Sequence, residues 1–264
     1  MIIPAQNDIA FNFLGISIYY YGIILACAIF FALIFANKLF NYSHPDLKKD
    51  IILEFAPVII ITGILFARFY FCILNPHYYF SHPIEIFDIR EGGLSIHGGI
   101  IGGIVSTLFM MKKYRLNFFT IIDPIACSTF LGQAIGRWGN YFNSEAYGLP
   151  VASQNWGLYV PPGRRISGYS QYELFHPTFL YESILDFISF ILLFLIYKKF
   201  AKQYKGLVFF SYLILYSLIR FFIEQIRIDS VLNIGSIPFA QIISVILFIT
   251  SICGILFVFK SKKN

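Results

Sequence analysis

The chain has 264 residues, of which 58% are hydrophobic, 19% aromatic and only 13% charged. A water-soluble domain usually carries about 25% charged residues, so these charges are too few to cover a globule, and a cytosolic enzyme, a disordered chain and a secreted disulfide scaffold are excluded. The composition is that of an all-α integral membrane protein, and the formal charge of +6 is left for the placement of the lysines to explain.

About 20 apolar residues cross a hydrocarbon core of ~30 Å. Windows of that size predict seven transmembrane helices in one membrane domain covering residues 1–264. In chain order they cover 15–37, 51–74, 96–111, 117–137, 178–197, 206–227 and 237–259, the third being short and glycine-rich. Residues 75–95, with Pro76 and Pro83, are placed along the interface. Residues 140–175 are the only sizeable extramembrane stretch, a head segment longer than most connections, which points to a lid, a docking flap or a floppy loop. No repeat, low-complexity tract or cleavable signal pattern is read, the first basic residue being Lys38.

The basic residues set the orientation. Lys38, Lys48 and Lys49 follow the first span, and Lys112, Lys113 and Arg115 the third. Lys198, Lys199, Lys202 and Lys205 follow the fifth, and Lys260, Lys262 and Lys263 the seventh. By the positive-inside rule these segments are cytoplasmic, so the N-terminus is outside, the C-terminus is inside and the head is extracytoplasmic. The positive charge is thus a topology signal and not a nucleic-acid patch. Cys27, Cys72, Cys127 and Cys253 lie singly in apolar stretches and read as buried small hydrophobes, without metal or disulfide.

What remains are charges where lipid should be. Arg68, Arg137, Arg220 and Arg227 lie in or at the ends of spans, with Glu54, Asp123, Glu182, Asp186 and Glu224. Each ionisable group at the bilayer centre costs at least about 2.5–3.5 kcal/mol, so its default reading is functional. Asp123, Glu182 and Asp186 are read instead as interhelical hydrogen-bonding groups. At 1.5 Å per residue Arg68 lies about 25 Å above the inner end of its span, Arg220 about 21 Å and Glu224 about 27 Å. Arg137 closes the fourth span on the outer side, Tyr21 lies just below the outer surface, and His97 stands at the outer mouth of the third span. Tyr216, Arg220, Glu224 and Arg227 share a helical arc of ~80°, and Arg220 and Glu224 form an i,i+4 pair. The glycines at 98, 99, 102 and 103 suit close helix packing, which leaves His97 unexplained. His44, His77 and His82 read as loop or interface residues, and His176 is ambiguous.

Several arginines in an outward-facing pocket need an anion, and at that depth a phospholipid headgroup fits, gripped by guanidinium forks. A histidine beside it suggests reaction, yet no side chain stands out as a covalent nucleophile. The economical scheme is a direct displacement, with arginines stabilising a departing phosphate.

The run Gly136-Arg137-Trp138-Gly139-Asn140-Tyr141-Phe142-Asn143-Ser144-Glu145-Ala146-Tyr147-Gly148 resembles the prolipoprotein diacylglyceryl transferase signature, G-R-x-G-N-F-x-N-x-E-x-x-G. Tyr21-Gly22 resembles that family's Tyr-Gly pair, and Gly93-Leu94-Ser95-Ile96-His97-Gly98-Gly99 its histidine motif. His176-Pro177-Thr178-Phe179-Leu180-Tyr181-Glu182 is similar to its H-P-S/T-x-L-Y-E run, and Arg220, Glu224 and Arg227 to its R-x-x-x-E-x-x-R helix. Departures are Tyr141 for phenylalanine, Ser217 where glycine is usual, and Asp229 without its preceding proline.

The resemblance implies transfer of the sn-1,2-diacylglyceryl group from phosphatidylglycerol to the lipobox cysteine of a prolipoprotein signal peptide. A thioether forms and glycerol-1-phosphate leaves, with no cofactor or metal. The protein would act as a monomer among membrane lipids of the bacterial cytoplasmic (inner) membrane, its active site facing the outer leaflet. Within that scheme His97 assists thiol deprotonation while Arg137 and Arg220 hold the phosphate. Tyr21, Arg68, Asn140, Glu145, Gly148, Tyr216, Glu224 and Arg227 bind or shape the substrate site, with Glu224 orienting Arg220. The rival readings are an anion or phospholipid transporter with an arginine-lined cavity and a lipid-binding module without chemistry.

Overall fold

The computed structural model describes residues 2–4, 7–89, 92–153, 155–229, 233–235 and 237–263. Most of them are helical: α1 (Tyr20–Ser43), α2 (Ile51–Leu74), α3 (Pro76–Ser81), α4 (Ile96–Tyr114), α5 (Phe118–Asn143), α6 (Thr178–Phe200), α7 (Leu207–Glu224) and α8 (Phe239–Lys263). Short strands stand between them: β1 (Ile2–Ile3), β2 (Ile9–Phe13), β3 (Ile16–Tyr19), β4 (Gly157–Tyr159), β5 (Leu174–Phe175), β6 (Asn233–Ile234) and β7 (Ile237–Pro238). Among the described residues, α1, α2, α5, α6, α7 and α8 are long and apolar enough to cross a membrane. The helix α4 has 19 residues but falls outside that set, because four glycines, His97 and the Lys112-Lys113 pair dilute its apolar run.

Helix ends differ from the sequence reading in three informative places. The first helix starts at Tyr20 and not at residue 15, because residues 9–19 form a hairpin. Leu14 and Gly15 both take positive φ, 49° and 80°, between Phe13 and Ile16, which pair across the turn. A two-residue hairpin turn of this hand follows the natural strand twist. The fourth long helix, α5, runs to Asn143, so Arg137 and Asn140 are helical and not at a loop edge. Conversely α7 ends at Glu224, so Arg227 has left the helix and forms a β-bridge with Gly148.

The chain makes two compact units, Met1–Ala36 with Asp123–Asn264, and Asn37–Ile122. In the first, α5 is packed closely by its neighbours. A side chain at Gly132 would crowd Ala28 and Ala32 of α1, and Ser183 of α6 donates to the Ala134 carbonyl at 2.8 Å. Asp123, near the start of α5, accepts the Gly206 N–H at 2.7 Å and the Phe209 N–H at 2.9 Å. It thereby caps α7 from a different helix, the interhelical role foreseen for it, satisfying donors that a helix start leaves orphaned. Asp123→Ala is expected to remove about 1–2 kcal/mol of stability, and Asp123→Asn, which keeps a capping oxygen, much less. Thermal unfolding in detergent reads the difference, and equal melting temperatures for Ala and wild type would refute the cap.

The head is a packed body. β1 pairs in parallel with β4, and β4 antiparallel with β5, over a core of Tyr147, Leu158, Val160, Phe175 and Phe179. The Tyr147 hydroxyl donates to the Arg164 carbonyl at 2.9 Å and accepts the Ile166 N–H at 2.8 Å, and burial raises its pKa above the ordinary value.

In the second unit, α2 and α4 meet backbone to backbone. A Cβ at Gly98 would strike the Phe66 carbonyl, and one at Gly102 the Thr62 carbonyl. One turn further, Ser106 and Thr62 hydrogen-bond across the pair, extending the small-residue seam.

Candidate active site

Three arginines from three segments of the first unit converge on one carboxylate. Glu182, on α6, is 1% exposed. Arg137 Nη1 of α5 lies 3.1 Å from its Oε2, and Arg220 Nη1 of α7 3.6 Å from its Oε1. Arg227 Nη1, from the turn after α7, lies 3.9 Å from that same Oε1. Around this centre the arginines have separate partners. Arg220 Nη2 meets Glu224 Oε2 at 2.6 Å, the i,i+4 pair read from the sequence. Arg137 Nε lies 3.9 Å from Asp186, one turn along α6 from Glu182. The Nε–Nη2 edge of Arg227 is closed by Asp229 in a bidentate bridge of 2.8 and 2.6 Å.

The surrounding backbone is locked by the 136–148 run. Asn140 and Asn143 both donate to Glu145 Oε1, at 3.0 and 3.3 Å, while Ser144 and Ala146 take positive φ to turn the chain off α5. Gly148 donates to the His176 carbonyl at 2.9 Å and Leu149 to the Ile226 carbonyl at 2.7 Å, tying this turn to the entrance of α6 and the exit of α7. Thr178 Oγ1 hydrogen-bonds the Ala146 carbonyl. The strap that carries Glu145 therefore also fixes both segments that supply Glu182 and Arg227. Tyr21 lies against α5, where its ring fills the space a side chain at Gly139 would need, 2.6 Å from the Cβ position.

The prolipoprotein diacylglyceryl transferase family matches the chain over residues 8–257. Proteins named phosphatidylglycerol–prolipoprotein diacylglyceryl transferase are similar over nearly its full length. One from Clostridium novyi (strain NT) is 42% identical over 98% of both chains, and one from Clostridioides difficile (strain 630) 40% identical, also over 98% of both. One from Acaryochloris marina (strain MBIC 11017) is 37% identical over 95% of this chain and 90% of its own. The chain belongs to the prolipoprotein diacylglyceryl transferase family.

In this member of the transferase family the geometry brings some of the residues read from the sequence together and sets others apart. Arg137, Arg220, Glu224 and Arg227 come together, as do Asn140, Glu145 and Gly148. Tyr216, one turn before Arg220, stacks on Tyr212 with centroids 6.1 Å apart, and Gln133 of α5 donates to the Tyr212 hydroxyl at 3.2 Å. Glu182, read as a bystander, sits instead at the focus of the arginines. Its signal was present in the His176–Glu182 run, but a buried carboxylate looks the same in sequence whether it serves packing or charge.

The second unit carries the other two residues. Arg68 is 7% exposed and directs its guanidinium onto backbone carbonyls: Ile86 at 2.9 Å, Gly92 at 3.0 Å, Gly93 at 3.2 Å and Glu85. The sequence reading places it among the substrate-binding residues. His97 is the second residue of α4, exposed, with its ring 5.9 Å from that of Tyr70. All four cysteines are free thiols, Cys72 and Cys127 buried within helices.

Proposed function

We propose that the chain transfers the sn-1,2-diacylglyceryl group of phosphatidylglycerol to the lipobox cysteine of prolipoproteins. A thioether forms and glycerol-1-phosphate is released, the first step of bacterial lipoprotein maturation. The observation that carries the reading is the convergence of Arg137 and Arg220, from different helices, on one buried carboxylate. Such forks suit a phosphate oxyanion in a water-poor site. A mostly apolar cavity of about 300 Å³, lined by Ile24, Ala134, Ile135, Trp138, Ser183 and Phe187, lies beside residues that flank Arg137.

In the reaction the acceptor sulfur attacks C3 of the diacylglyceryl group, the C3–O bond breaks, and its electron pair stays on the phosphate. Arg137 and Arg220 stabilise the charge gathering there. His97 takes the thiol proton; a free thiol has a pKa near 8.5, so at neutral pH a base raises the thiolate fraction. Tyr21, Asn140, Glu145, Gly148 and Tyr216 shape the headgroup pocket, and Glu224 orients Arg220. Arg68 and Arg227 act through the segments they hold. The topology that goes with this reading has seven spans in the bacterial cytoplasmic membrane. Its N-terminus and head lie outside, its site faces the outer leaflet, and one chain suffices.

Mass spectrometry tests it. The purified protein, incubated with phosphatidylglycerol and a lipobox peptide, is expected to add one diacylglyceryl group to the peptide cysteine and release glycerol-1-phosphate. An unmodified peptide would reject the reading, and anion flux in vesicles without that product would favour transport. In the same assay His97→Gln should lose turnover at neutral pH and recover part of it as pH rises toward the thiol pKa. Near-normal turnover at neutral pH would remove His97 as the base.

A further inference from the structure

The three Glu182 contacts are looser than the Arg220–Glu224 and Arg227–Asp229 pairs beside them and resemble the 3.9 Å Arg137–Asp186 contact. Arg220 meets Glu224 at 2.6 Å, and Arg227 meets Asp229 through two hydrogen bonds. Glu182, by contrast, faces its three guanidiniums at 3.1, 3.6 and 3.9 Å, and neither of its oxygens makes a hydrogen bond among the described residues. It is nonetheless among the most deeply buried charged side chains, 1% exposed against 3% for Asp186 and 4% for Glu224. An ionised carboxylate in that setting is held by charge alone, and only because three cations surround it.

Three guanidiniums around one point would repel one another and splay in a medium of low dielectric. Asp186, Glu224 and Asp229 each offset one guanidinium from the rim, while Glu182 is the carboxylate shared by all three and leaves N–H groups of Arg137 and Arg220 for a second anion. Arg220 already gives Nη2 to Glu224, and Asp229 occupies one full edge of Arg227, so Arg137 is the most open of the three. We infer that Glu182 is the positioning residue of the phosphate site: a resident counter-charge that holds Arg137 and Arg220 aimed at one focus, with Arg227–Asp229 as a fixed buttress. The inference rests on the transferase reading, and it adds that site affinity and catalytic rate are set against each other by this carboxylate. With the negative charge present, the phosphate of the departing glycerol-1-phosphate is bound only moderately and leaves.

Glu182→Gln keeps the shape and removes the charge. Two readouts separate this role from packing. In the lipobox-peptide assay, Glu182→Gln should lower kcat by roughly 10- to 100-fold, as arginine alignment is lost, while KM for phosphatidylglycerol stays level or falls. Equilibrium binding of glycerol-1-phosphate to the purified protein should tighten about tenfold, since the site has gained net positive charge. Glu182→Asp, which restores the charge on a shorter arm, should regain a large part of kcat and return glycerol-1-phosphate affinity toward that of the wild type. An unchanged kcat in Glu182→Gln overturns the inference. So do weaker glycerol-1-phosphate binding in Glu182→Gln, or equal impairment of the Asp and Gln variants with a shared drop in melting temperature. The binding measurement needs no turnover. If the wild type makes no thioether product, the transferase reading fails on the first assay while the charge role of Glu182 is still decided on the second.

Discussion

Replacing Arg220 by lysine is expected to lower kcat/KM by roughly 10²–10³-fold, the range found when a preorganised oxyanion donor is removed. Charge is conserved in this change, so the loss measures geometry. Arg220 presents one terminal nitrogen to Glu224 of its own helix and the other toward Glu182 of α6. A lysine ammonium is one point on a flexible stem; it can satisfy one carboxylate but cannot bridge two and still face a phosphate. Arg137→Lys should behave alike, because Arg137 spans Glu182 and Asp186. The double variant should be less impaired than the product of the single losses, since residues that act as a unit are not additive. Rates from purified lipid and a lipobox peptide decide the matter; wild-type rates in either lysine variant would reject a shared clamp.

Gly148→Ala should be the glycine change that disturbs the arginine site most directly. The added methyl would sit 2.8 Å from the Ile226 carbonyl oxygen, 2.9 Å from His176 Cβ and 3.0 Å from Thr178 Cγ2. Two of those segments carry the site: Ile226 precedes Arg227, and Thr178 opens the helix of Glu182. Relief of the clash requires one of them to move. Overpacking of this kind costs about 1–3 kcal/mol, and a displacement near 1 Å at a reacting centre costs on the order of 10²-fold in rate. Gly103→Ala, whose methyl would meet no atom within 4 Å, is the control and should match the wild type in melting temperature and activity. A Gly148→Ala protein as active as that control would show that the junction yields.

The helices were legible because lipid imposes a long apolar run, and the site was legible in outline because arginines are rare at membrane depth and each helix orders them by height. Height is only one coordinate. Which face of α6 turns toward α5 and α7 is set by packing, so nothing local distinguished Glu182 from a neutral hydrogen-bonding role. Arg227 obeyed the helical arc on paper, but α7 ends three residues earlier, where Ile226 and Leu149 begin to pair. Depth and charge do not show which groups Arg68 meets, here the backbone carbonyls of Glu85, Ile86, Gly92 and Gly93. The hairpin before α1 did carry a signal: Ile9, Phe11 and Phe13 alternate, and Leu14-Gly15 offers a turn. Continuity with the apolar run that follows masked it.

The pairing of Ile2 with Gly157 has a consequence in time as well as in space. A ribosome adding about 5–20 residues per second needs on the order of ten to thirty seconds to deliver the partner of that first strand. Through that interval the hairpin and α1 must wait while the whole 37–122 unit is synthesised and inserted. The head sheet therefore forms late, and a nascent chain stalled before β4 carries a first strand without its partner.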